Sequence, residues 1–124
     1  MNQYRDEIAR GMTPAEAAGW AANSEAESRG DPSMHQRGGP GRGLYQWGAT
    51  DSAHDRREIF KQQMNTPIES ATAAQQRDFR DWELANTERS AKRHIDAATT
   101  TAGKSMAITI YYVRPAHARR AADD

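Results

Sequence analysis

Alanine makes up about half of the apolar residues in this 124-residue chain, whereas leucine occurs only at positions 44 and 84 and valine only at 113. So little bulky aliphatic material signals disorder when it accompanies high net charge. Here 17 basic and 17 acidic residues cancel, and alanine is the strongest helix former. The composition therefore predicts a mainly α fold with a thin, alanine-packed core. Trp20, Trp47, Trp82, Phe60, Phe79, Tyr111 and Tyr112 supply its bulk. The length suits one domain, read as residues 1–116, with a fraying tail over 117–124.

The same features narrow the function. Charge balance gives no field that would steer the chain to nucleic acid or an anionic membrane, so a neutral polymer fits at least as well. No apolar run approaches the roughly 18 residues of a membrane helix. The polar start, Met1 to Glu7, lacks the apolar stretch of a secretory signal. A role outside the cytoplasm then requires delivery by other machinery. Cysteine is absent, and His35, His54, His94 and His117 fall in no metal-ligand spacing, so neither metal nor cofactor is expected. Ala98 to Ser105 ends like a phosphate-binding loop but lacks its first glycine, and reads as a polar turn.

Helical periodicity first appears at Tyr4 and Ile8, with Gly11 as the stop. Thr13-Pro14-Ala15-Glu16 then forms a capping box with proline at N1, opening a helix that runs to Ser28. Gly30 and Pro32 end it. Five glycines and two prolines between Gly30 and Gly43 predict a long irregular loop. Further helices are expected over about 51–64, 70–86, 87–98 and 103–113, the last also readable as a strand.

Glu27 stands out. Trp20, Ser24 and Glu27 share a helix face through offsets of 3, 4 and 7, and Glu27 occupies the last turn. The helix C-terminus carries partial negative charge and burial removes water. Both favour a protonated carboxyl, the proton donor that glycosidic cleavage needs. Helix geometry alone leaves a second reading open, a solvated helix-end glutamate with Trp20 as ordinary core.

Ala22-Asn23-Ser24-Glu25-Ala26-Glu27-Ser28, the glycine-rich loop, and Gly43-Leu44-Tyr45-Gln46-Trp47 resemble the active-site signature of the phage tail lysozyme family. That family is similar to goose-type lysozymes and lytic transglycosylases. Asp31-Pro32, the helix entry Met12 to Gly19, Gln76 to Phe79 with Glu83-Leu84, and Tyr112-Val113-Arg114-Pro115 match further pieces in order. The resemblance implies a lysozyme-like helical domain with a long active-site loop and little or no sheet. It implies cleavage of the β-1,4 bond between N-acetylmuramic acid and N-acetylglucosamine, by hydrolysis or transglycosylation, with Glu27 as the acid. Ser28 and Gln46 would line the site. Tyr45 and Trp47 would either face pyranose rings or anchor the loop, and Tyr111 or Tyr112 would approach the site or serve the core.

Two-carboxylate mechanisms need a second acid; Asp31, Asp51 and Asp55 are the candidates. With none, the muramyl hydroxyl of the substrate would attack, as in lytic transglycosylases. The implied partner is the peptidoglycan strand, beside other tail or secretion-machine components. The implied setting is a virion or injector that delivers the domain to the periplasm or cell wall. The alternative is a catalytically inactive lysozyme-like module that binds glycan or serves as a structural tail part.

Overall fold

The structure, a computed structural model, describes residues 2–36, 41–48 and 55–113. Most of these residues are helical, and among them no strand forms; isolated bridges pair His35 with Arg42 and Arg42 with Trp47. The mainly α expectation holds. None of the helices is long and apolar enough to cross a membrane.

Local signals set the helix ends. α1 (Gln3–Ala9) starts at Asn2, whose side chain accepts from Arg5 N at 3.1 Å, and Gly11 leaves it at φ 95°. α2 (Pro14–Ser28) starts at the expected box, where Thr13 Oγ1 accepts from Glu16 N at 3.3 Å and lies 3.2 Å from Glu16 Oε1. Its exit comes one residue before Gly30, because Arg29 is already left-handed at φ 55°. α3 (Arg56–Met64) is capped by Asp55.

A 3₁₀ turn (Ile68–Ser70) precedes α4 (Ala73–Ala85), so the helix expected from about residue 70 begins later. The reason is a second, fully reciprocal capping box. Gln75 N donates to Thr72 Oγ1 at 3.1 Å, and Thr72 N donates to Gln75 Oε1 at 2.9 Å. α5 spans Arg89–Ala97. α6 (Thr101–Ala107) continues as a π-helical segment over Ile108–Val113, which settles the strand alternative in favour of helix.

The chain divides into two compact units, residues 1–23 with 84–124, and residues 24–83. In the first, Trp20 meets Tyr112 edge-on at 5.0 Å, and Ala17, Ala91, Ile95 and Ile108 are buried as well. Gly19 permits close helix packing there, since a Cβ would lie 3.2 Å from Ser105 N. Asn23 Nδ2 donates to Ser105 O at 3.0 Å, and Thr109 Oγ1 donates to Asn23 Oδ1 at 2.7 Å. Tyr111, expected in the core, is instead 39% exposed and stacks on His94 at 3.7 Å.

The second unit is built on aromatic rings. Trp47, Phe60 and Phe79 meet at 4.8–6.0 Å, with Trp82 stacked on Phe79 and only half-buried. Alanine supplies little of this interior; rings and buried polar side chains fill it.

Candidate functional site

The second unit holds the last turn of α2 and the Gly43–Trp47 stretch. Residues 42–47 form a tight turn: Arg42 N donates to Trp47 O at 2.8 Å, and Trp47 N donates to Arg42 O at 2.9 Å. Gly43 opens the turn at φ 81° and Gln46 closes it at φ 52°. A Cβ on Gly43 would also lie 2.6 Å from Gln76 Oε1 and 3.0 Å from Ile68 Cγ2. Strain and overlap together make Gly43→Ala costly, by about 1–3 kcal/mol. Urea denaturation should show it as a lowered midpoint.

Ser28 ties the turn to α2. Its buried hydroxyl donates to Leu44 O at 2.8 Å and also lies 2.9 Å from Ser24 O. The hydroxyl is thus engaged with backbone, and Ser28 joins the helix end to the turn. Glu27, its neighbour, is half-buried in the same last helical turn.

Gln46 is half-buried as well. Its Nε2 donates to Gly43 O at 2.8 Å and Met34 O at 3.1 Å. Both amide hydrogens are committed, so Oε1 is the atom left to accept from a ligand. Tyr45 and Trp47 are 1% and 0% exposed. Their rings meet edge-on at 5.4 Å, Arg80 Nη1 donates to Tyr45 Oη at 3.2 Å, and Trp47 Nε1 donates to Glu83 Oε1 at 3.1 Å. Of the two roles open to these rings, burial gives them that of loop anchor. A sugar platform would need an open face.

The acidic candidates divide. Asp31 is fully exposed and shapes a turn, its Oδ1 accepting from Ser33 Oγ at 2.7 Å and Ser33 N at 2.9 Å. The Ser33 hydroxyl and then the Ser33 backbone N–H hold its carboxyl below the ordinary range. Asp55 caps α3, accepting from Arg57 N at 3.1 Å and Glu58 N at 3.2 Å. Asp51 lies outside the described residues. Tyr111 and Tyr112 belong to the first unit, where the one stacks on His94 and the other is buried on Trp20. Among the described residues no group of three or more His, Asp or Glu side chains could hold a metal ion.

Sequence reading passed over the polar side chains that hold the site together. Gln76 accepts from Leu44 N at 2.8 Å and donates to Pro32 O at 2.8 Å. Glu83 accepts from Arg56 Nε at 3.0 Å and Nη2 at 2.8 Å. Gln76, Phe79, Arg80 and Glu83 follow helical spacing and are all buried. That spacing was the available signal, since one face of α4 carries them all.

The family described as phage tail lysozyme matches residues 3–123 of the chain. Neither a curated protein nor a solved structure matches it.

Proposed function

The chain belongs to the phage tail lysozyme family, and from that premise we propose that it cleaves peptidoglycan glycan strands with Glu27 as general acid. The bond cut is the β-1,4 link between N-acetylmuramic acid and N-acetylglucosamine. The observation that carries the reading is the Ser28 Oγ–Leu44 O bond of 2.8 Å. It fixes the turn bearing Gln46 against the helix end that bears Glu27. Glu27 is half-buried in the last turn of α2. Gln46 Oε1 accepts from a sugar hydroxyl or acetamide N–H, orienting the ring while Glu27 protonates the leaving oxygen.

Asp31 and Asp55 are already bound to backbone N–H groups. The second half of the reaction then falls to water activated by Asp51, or to the muramyl hydroxyl of the substrate. Asp31→Asn is expected to keep cleavage within about twofold, because an amide oxygen still accepts from Ser33. A loss beyond about 10²-fold in that variant would make Asp31 the second carboxylate. Delivery by a tail or injector, to the periplasm or cell wall, supplies the setting, with other tail components as neighbours.

The test is digestion of purified peptidoglycan with mass analysis of the muropeptides, beside Glu27→Gln as control. Reducing ends mark hydrolysis and anhydro-muramyl ends mark transglycosylation. Cleavage by the natural chain that disappears in the control supports the reading, and equal cleavage by both removes Glu27 from it. A second reading, an inactive glycan-binding or structural module, draws on the buried rings of Tyr45 and Trp47 and the engaged Asp31 and Asp55. No cleavage by the natural chain favours it.

A further inference from the structure

We propose that Gln76 is a positioning residue for this site, setting the place of Gln46 relative to Glu27 without touching substrate; the proposal rests on the cleavage reading above. Gln76 lies in α4 with its side chain 0% exposed. Its Oε1 accepts from Leu44 N at 2.8 Å, and its Nε2 donates to Pro32 O at 2.8 Å and Ala71 O at 3.2 Å. One amide therefore bridges the two stems of the glycine-rich loop and fastens them to the start of α4.

Gln46 hangs from the same two stems, through Met34 O on one and Gly43 O on the other. Leu44 is gripped on both sides of its peptide plane series, its N–H by Gln76 and its C=O by Ser28 at 2.8 Å. Ser28 fixes the turn to the Glu27 helix, and Gln76 fixes the spacing of the stems. A fully satisfied buried network of this kind specifies one arrangement. The approach is close enough that Gly43 has no room for a Cβ, which would sit 2.6 Å from Gln76 Oε1. Loss of Gln76 frees the stems to shift, and misplacement by about 1 Å costs up to about 10²-fold in rate.

Two variants test this. Gln76→Met keeps the length and removes the hydrogen bonds. It is expected to lower kcat about 10- to 100-fold, with helicity and retention on sedimented peptidoglycan preserved and Leu44 amide exchange accelerated. Gln76→Glu keeps the acceptor for Leu44 N–H, but only its protonated form can donate to Pro32 O. Its rate relative to the natural chain should rise as pH falls through the range in which the introduced carboxyl takes up its proton. A folded Gln76→Met chain that cleaves at the natural rate overturns the proposal while leaving the cleavage reading intact. Should Gln76→Met fail to fold, a pH-independent ratio for Gln76→Glu overturns it instead. Absence of cleavage by the natural chain defeats the cleavage reading first, and the positioning role with it.

Discussion

Glu27→Gln is expected to lower glycan cleavage by about 10²–10⁴-fold, the range over which a positioned general acid acts, while leaving the helices intact. The substitution keeps the shape of the side chain and removes the proton that must reach the leaving oxygen. Ser28 still donates to Leu44 O, Gln46 Nε2 still donates to Gly43 O, and the Arg42–Trp47 pair still closes the turn. An amide at position 27 never carries the negative charge that the C-terminal turn of α2 disfavours, so the helix dipole gives no reason for a loss of stability. Activity and stability should therefore move apart: turbidity clearing of cell walls collapses while the thermal melt is unchanged or slightly raised. Glu25 is exposed on another face of the same helix and serves as the control, since Glu25→Gln should cleave normally. Loss of cleavage in both variants would point to a general effect of charge on α2 rather than to an acid at position 27.

How far the sequence foretold this molecule depends on the kind of signal. Helix starts were legible where short-range chemistry sets them, as at Thr13 to Glu16. The start of α4 falls later than residue 70 because the Thr72-Ala73-Ala74-Gln75 box sets it. The pairing of the Glu27-Ser28 segment with Gly43 to Trp47 was legible as a motif, and the structure joins the two through Ser28 and Leu44. What each side chain does was less legible. Tyr45 and Trp47 look like sugar platforms by residue type, and only tertiary packing shows them enclosed by Arg80, Glu83 and Phe79. Gln76 and Glu83 enter the sequence reading only as pieces of the family resemblance, with no role attached. Helical spacing places them beside Phe79, and their burial follows from pairing that sequence separation hides, 32 residues for Gln76 with Leu44 and 27 for Glu83 with Arg56. Asp31 and Asp55, plausible catalytic acids by type, do the commoner work of their residue, a turn and a cap.

Glu83→Ala should be the most destabilising single change in the second unit. Glu83 is 0% exposed and accepts from Arg56 Nε at 3.0 Å, Arg56 Nη2 at 2.8 Å and Trp47 Nε1 at 3.1 Å. Arg56 is itself buried, so deleting the carboxylate removes both of the hydrogen bonds that Glu83 accepts from this interior guanidinium. Breaking a buried pair in this way costs about 3–5 kcal/mol. For a domain of this size, each kcal/mol lowers Tm by about 4–8 °C, so a fall of more than about 12 °C is expected. The sign reverses when both charges go. In Arg56→Met/Glu83→Leu the desolvation penalty vanishes with the pair, and apolar side chains fill the space beside Phe60 and Phe79. One cost that remains is at the Trp47 indole N–H, which loses its Glu83 acceptor, about 1–3 kcal/mol for a buried donor. The double variant should thus melt above the Glu83→Ala single variant, although it carries more substitutions. Trp47 keeps its ring contacts with Phe60 and Phe79, so the turn that ends on it should persist and cleavage should return with the fold. Thermal melts of the two variants, read beside their cleavage rates, separate a charge pair that holds the turn from one that is incidental. Equal melting of the single variant and the natural chain would show that the turn is held by its rings alone.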